Sequence, residues 1–452
     1  MASRAVMWFR RDLRLADNPA LVAALAEHDE VTPLFVVDPL LVSRSGAPRL
    51  AFMCDALSAL DDSMGRALVY RHGDPVETVA ALAAEVGATA VYAAEDFAPY
   101  GRRRDAAVAE RLSADGRRLV QVGSNYAVAP GSVRKDDGGS YSVFTPFSKR
   151  WSALGWSVPV SVPRSPNWHG APTVRCEGPP ARPDLEIALP PTSEDAVHAQ
   201  WAEFRDRGPD GLDGYKERRN DPSVPGSSRL SAALRWGIVH PRQLLHDLHD
   251  GADHSHYRSE LAWREFYADV LFRHPETGWR NLDRRMDRIE IDDGPEAEAK
   301  FAAWCEGRTG YPIVDAGMRE LLGSGWMHNR VRMIVASFLV KDLHLPWQWG
   351  ARHFMRHLVD GDLASNSHGW QWTAGSGTDA APYFRVFNPR LQGERYDPTG
   401  DYVRRWVPEL ADQPTKTVHA PAGVPFGYVA PMVDHGVERD EALRRYKAVT
   451  GG

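Results

Sequence analysis

A chain of 452 residues, 43% of them hydrophobic, is longer than one compact core accommodates and predicts two or three domains. A formal charge of −6 excludes a generally basic nucleic-acid coat and leaves room only for a local basic groove. Three scattered cysteines, Cys54, Cys176 and Cys305, exclude a disulfide framework and a CxxC zinc site, so a reducing cytoplasm is the expected compartment.

In chain order, the opening MASRAVMWFRRDLRLADNP breaks into charge after a short apolar run, as expected of a first strand and not of a secretory signal. Apolar β-rich runs at 5–9, 31–37, 67–70, 88–94 and 119–122 alternate with amphipathic segments. In 75–87 the residues Val76, Val79, Ala80, Ala83 and Val86 repeat at helical spacing, with Pro75 at the start and Gly87 at the end. The alternation predicts an α/β domain over 1–125, a doubly wound parallel sheet. Arg10, Arg11, Asp12 and Arg14 follow the first strand without a GxGxxG, which excludes the usual dinucleotide fingerprint. Residues 126–194, rich in Pro, Ser and Gly, are expected to be a long connector over the surface. Residues 195–452 are expected to be all helical and hold eleven of the fifteen tryptophans. The longest apolar run, 333–340, is too short to span a bilayer.

Four stretches of the helical region mix residue types that a core avoids. GSSRLS at 226–231, preceded by Tyr215, sets hydroxyls and amides beside an arginine, which suits phosphate and equally suits a helix cap by Ser227 or Ser228. In ELAWREFY, Glu260, Trp263, Arg264 and Tyr267 share one helix face, fit for a pocket wall or for a solvated ion pair beside a core Trp. In GWMHNRVRM, Trp326, Asn329, Arg330 and Met333 share a face while Arg332 looks aside, a pattern that grips phosphates and stacks a base. DGDLASNSHGWQW at 360–372 puts Asn366 and Trp370 one turn apart, and Trp372 in another direction; it reads either as a site or as a glycine-punctuated core turn. His328 is expected to be a structural donor, and His353 with His357 a surface or packing feature. No metal is expected.

These motifs in this order, with WFRRDLRLADNPAL at the start and RVFNP at 385–389, resemble the photolyase and cryptochrome family, and within it the class I cyclobutane pyrimidine dimer photolyases. The resemblance implies an N-terminal Rossmann-like domain followed by a large helical FAD-binding domain. It also implies light-driven electron transfer from reduced FAD to a dimer flipped out of DNA. Carried onto this chain, it makes Tyr215, Ser227, Ser228, Arg229, Leu230 and Ser231 the clasp for FAD phosphate and ribose. Arg332 with Asp360 become the ion pair beside the flavin ring, joined by Gly361, Asp362 and Asn366, the last facing flavin N5. Glu260 becomes the acid on the dimer's base edge. Trp263, Trp372, Asn329 and Met333 hold the dimer, and Arg219, Arg330 and Arg385 meet DNA phosphates.

Trp370 and Trp347 resemble the first two indoles of a photoreduction chain. The third, expected near Gly294, is missing from EIDDGPEAEA, which implies either slow photoreduction or another exit such as Trp304, Trp349 or a tyrosine. The N-terminal domain is expected to hold an antenna, 8-hydroxy-5-deazaflavin ahead of methenyltetrahydrofolate, with Phe35, Asp38, Arg49 and Asp96 as contacts. The expected partner is UV-damaged DNA, with no membrane, no obligate protein partner and a monomeric chain. A cryptochrome-like blue-light sensor, a (6-4) photoproduct photolyase and a plain flavin oxidoreductase are the alternatives. The first lacks its usual C-terminal tail here. The second would want a histidine pair where Met327, His328, Asn329 and Arg330 stand, and the third lacks a nicotinamide fingerprint.

Overall fold

A computed structural model describes residues 2–163, 166–170, 174–378, 385–421, 423 and 427–451. The five apolar runs form one parallel sheet: β1 Arg4–Phe9, β2 Glu30–Val37, β3 Val69–His72, β4 Ala90–Glu95 and β5 Arg118–Ser124, in the order β3-β2-β1-β4-β5. Register follows from burial of both faces, with Trp8 beside Leu34 and Met7 beside both Pro33 and Tyr92. The crossover helix Pro75–Glu85 starts where Asp74 accepts from the amide of Val76 and Pro75 occupies the first turn. It ends before Gly87, whose φ of +68° is unfavourable for any residue with a Cβ.

Val6, Trp8, Leu34 and Val91 pack one face of the sheet against Val79, Leu82 and Val108 of the crossover helices. The opposite face, through Met7, Phe9 and Phe52, is continuous with Trp201, Trp236, Leu261 and Phe266 of the helical region. A separate core gathers Trp304, Phe338, Trp347, Trp370 and Tyr402. Beyond β5 the described residues are helical apart from loops and an isolated bridge at Trp168. No helix among them is long and apolar enough to cross a membrane.

The connector is not the bare surface wrap that its composition implied, because it contains the helix Phe144–Leu154. Phe144, Phe147 and Trp151, at i, i+3 and i+7, are buried. The Trp151 indole donates to Glu265 Oε2 at 2.6 Å, and the backbone amide of Val128 donates to the same oxygen. A fully buried carboxylate keeps its place only with such donors.

Candidate functional site

The helix Leu363–Ala374 is started by Asp362, whose Oδ1 accepts from the amides of Ala364 and Ser365, both at 3.1 Å. Two residues before it, Asp360 Oδ2 takes a 2.8 Å bond from Arg332, and the same guanidinium donates to the Met327 carbonyl. Asp360 is buried and its Oδ1 has no hydrogen-bond partner among the described residues. Asn366 donates from Nδ2 to the Ala351 carbonyl at 3.1 Å, while its Oδ1 accepts nothing from the described residues. The indole of Trp370 lies so close to the neighbouring helix that a Cβ at Gly350 would fall 2.1 Å from it.

Asp362 also faces the sheet domain. Its Oδ2 is 2.7 Å from Arg11 and 3.7 Å from Arg235, whose Nε donates to the Gly361 carbonyl. Arg49 reaches the same seam, donating to the Met355 carbonyl at 2.8 Å. Burial opposes ionisation of Asp362, but the guanidiniums of Arg11 and Arg235 outweigh it and hold the carboxyl well below the usual range. Burial and the neighbouring Arg11 push Arg235 down to about 9, and burial brings Arg49 to about 10. Asp362 is therefore a joint between the two regions. Arg49, expected as an antenna contact, is engaged in this joint.

The SSRLS stretch does not cap its helix. Ser231–Trp236 begins after Leu230 with no side-chain cap, so its first amides are left without one, and Ser231 is exposed. Ser228 Oγ instead meets the Tyr257 hydroxyl at 2.8 Å, and Tyr257 stands edge-on to Tyr215. Ser227 is half-buried. Arg229 adopts φ +53° and lies over the Trp326 ring at 4.3 Å. A non-glycine residue held in the left-handed region marks a backbone fixed by its surroundings.

On the wall formed by the helix Ala252–Arg273, Glu260 is not alone among apolar groups, because Arg219 pairs with it at 2.6 Å. Arg219, expected on DNA phosphates, is engaged by this carboxylate. Arg330 is likewise engaged, donating to Asn220 Oδ1 at 2.7 Å and lying over the Tyr396 ring. Trp263 is half-buried and stacks on Phe144 of the connector helix, with centroids 3.7 Å apart and planes 7° off parallel. Asn329 and Arg385 are exposed, and Met333 and Trp372 half-buried. Lys341 donates to the Arg385 carbonyl.

Trp370 meets Trp304 at 6.1 Å and Phe354 at 5.0 Å, both edge-on, and makes no ring contact with Trp347 among the described residues. Trp304 stacks on Phe301, which meets Trp349 at 5.2 Å. The aromatic continuity therefore runs through Trp304. His328 is structural as expected, although by accepting: its Nδ1 takes the Arg330 amide, and burial with nearby arginines lowers it to about 3. His353 and His357 pack ring to ring at 4.5 Å. His368 is fully buried, 3.3 Å from Thr277 Oγ1 and stacked on Tyr267, so it fills the joint with the Ala252–Arg273 helix. Burial lowers it to about 4 and keeps it neutral at physiological pH.

At the carboxyl ends of the strands, Asp38 accepts from the Tyr100 hydroxyl, and Asp96 is 3.3 Å from Arg104. Of the four antenna candidates only Asp96 lines the crevice there, which has about 10 Å³ of free space, room for one water. Phe35 is buried in β2.

A family model described as DNA photolyase matches residues 5–166, and one described as the FAD binding domain of DNA photolyase matches 257–448. The chain belongs to the DNA photolyase family. It is 40% identical to the deoxyribodipyrimidine photo-lyase of Escherichia coli strain K12 over 99% of both chains. Among solved structures, a bacterial class III photolyase from Agrobacterium tumefaciens is 36% identical with a TM-score of 0.88, covering 100% of this chain and 98% of that one. A cryptochrome from Synechocystis sp. PCC6803 is 26% identical with a TM-score of 0.90, covering 98% and 99%. The photolyase family model takes in the strand ends and the crevice, and the FAD-binding model takes in the Asp360 cluster. Arg11, Arg235, Asn220 and Phe144 are the neighbours that sequence reasoning missed, since each acts through a residue remote in the chain.

Proposed function

We infer that this chain splits cyclobutane pyrimidine dimers in DNA under light, with FAD held by the helical region. The observation that carries the reading is the donor and acceptor set of the helical region among the described residues: a buried Asp360 oxygen without a donor, an unengaged Asn366 oxygen, and helix amides at Ser231 without a side-chain cap. Such a set fits a group that brings phosphates and a ring rich in donors and acceptors. Tyr215, Ser227, Ser228, Arg229, Leu230 and Ser231 would hold the phosphates, and Arg332, Asp360, Gly361, Asp362 and Asn366 the ring and its chain. Bound and reduced, FAD supplies light absorption and the electron that opens the dimer.

The protein's part is placement. The Arg219 and Glu260 pair offers a polar edge to the flipped bases, so that Glu260 is kept in place by a cation instead of being isolated. Trp263 and Trp372, with Met333 and Asn329 beside them, cover the bases and exclude water, while Arg330 and Arg385 lie where phosphates pass. Reduced protein under blue light is expected to restore thymines from a dimer-bearing oligonucleotide, and none in darkness. Bound flavin without splitting in light would replace this reading with the sensor reading that the cryptochrome likeness offers.

Trp370 would exchange electrons between the cavity and the surface, with Trp304, Phe301 and Trp349 as the outward route and Trp347 as a second branch. In FAD-loaded protein, Trp370→Phe is expected to slow photoreduction of oxidised flavin, and Trp304→Phe to slow it more than Trp347→Phe does. Flash absorption measures both, and the reverse order would return the route to Trp347. An 8-hydroxy-5-deazaflavin antenna at the strand ends remains our proposal over methenyltetrahydrofolate. The water-sized crevice does not fit it as it stands, so no step is built on it; an absorption spectrum of the purified protein tests it. We also propose a monomeric, cytoplasmic chain, tested by its mass in solution and its location in cells.

A further inference from the structure

The helix Asn329–Ser337 runs on into one wide turn, Phe338–Asp342, closed where the Leu343 amide donates five residues back to the Phe338 carbonyl at 3.1 Å. A π turn of this kind re-aims the side chains around it and is frequent at functional sites. Here it sends two neighbours to different places. Asp342 is bonded to His435 of the C-terminal helix His435–Thr450, while Lys341 Nζ donates to the Arg385 carbonyl.

Lys341 is 4% exposed, and burial brings it down to about 7 despite the nearby Asp342. A methionine of similar length would fill the space without the cost of desolvating an amine, so packing does not account for the lysine. Its bond does. Ser337, four residues earlier and 1% exposed, reaches the same length of chain, its Oγ accepting from the Phe387 amide at 3.4 Å. The next residue, Asn388, accepts from the Leu391 amide at 3.1 Å and starts the helix Pro389–Tyr396. That helix ends in the Tyr396 ring, over which Arg330 lies at 4.4 Å. One short length of chain therefore seats two arginines: Arg385 at its start, exposed while its carbonyl turns inward, and Arg330 against its end.

We propose that Lys341 is a positioning residue for DNA binding, which by holding the Arg385 carbonyl sets the spacing of Arg385 and Arg330 so that both meet phosphates at once. The proposal rests on the reading of these two arginines as phosphate contacts. Lys341 is too buried to meet a phosphate itself. A guanidinium whose backbone is already fixed loses less freedom on contact.

The test is binding of a dimer-bearing duplex by FAD-loaded, full-length protein in darkness, followed by fluorescence anisotropy over a salt series. Arg385→Ala is expected to weaken binding about tenfold and to flatten the slope of log affinity against log salt by about 0.9, the share of one phosphate. Lys341→Met should act in the same direction on both quantities, equally for damaged and undamaged duplex. The double variant should bind no more weakly than Arg385→Ala, because Lys341 acts through Arg385. Losses that multiply would make Lys341 a separate contributor to the field and overturn the proposal, as would unchanged affinity in Lys341→Met. Unchanged binding in Arg385→Ala would instead remove the phosphate reading, and the proposal with it. Where Lys341→Met fails to fold, Ser337→Ala, which cuts only the second tie, decides: a flatter slope supports the proposal and an unchanged one overturns it.

Discussion

Asp362→Ala is expected to lower the folding stability of the protein by about 3 kcal/mol and to loosen its hold on FAD, as read by denaturant titration with flavin fluorescence. Arg11 at 2.7 Å and Arg235 at 3.7 Å share this one carboxylate in a seam where Arg49 adds a third guanidinium. Removing it leaves cations facing one another with little water to screen them, and also strips the start of the Leu363–Ala374 helix of its cap. Asp362→Asn keeps the cap while losing the charge, so it should fall between wild type and Ala. Adding Arg235→Met to Asp362→Ala should recover part of the loss; no recovery would mean that the charge balance is not the cause. The pH dependence follows from the depressed acidity of Asp362. Its contribution is complete above the unfolded value near about 4 and fades as pH falls through the lower folded value, so the gap between wild type and variant should close in strong acid.

Trp263→Ala should weaken binding of dimer-bearing DNA by about 1–3 kcal/mol, while undamaged duplex and FAD retention change little. The indole is backed face to face by Phe144 at 3.7 Å, so it is offered as a preset surface and pays little ordering entropy on contact. Phe144→Ala should therefore produce a smaller loss of the same kind, through a looser Trp263. Affinities must be compared at one salt concentration, since phosphate contacts set the background. An equal loss for damaged and undamaged DNA would remove Trp263 from the lesion pocket and leave it a groove residue.

The sheet was legible because buried parallel strands are written as apolar runs, and the helical patches because they place chemistry at helical spacing. Sequence reasoning does not reach contacts that depend on a distant partner. The bond from Arg49 to the Met355 carbonyl and the pair of Glu260 with Arg219 are not announced by any local pattern. Asp362 and Arg11 are 351 positions apart, and no local pattern announces their meeting. The connector helix was legible in principle, since Phe144, Phe147 and Trp151 keep helical spacing, but the surrounding prolines set the reading of the whole segment. His368 fills the space between two helices, stacked on Tyr267, a role that only the fold reveals.

One face of the sheet shares its core with the helical region, Phe9 and Phe52 lying in the same packed cluster as Trp236 and Phe266. The two regions are therefore one mechanical body. Neither can rock without opening a dense apolar interior, so hinge motion of the kind that modulates many two-domain enzymes is closed to this molecule. The strand ends and the Asp360 cluster therefore keep a constant separation and mutual angle, set by architecture and not by thermal wandering.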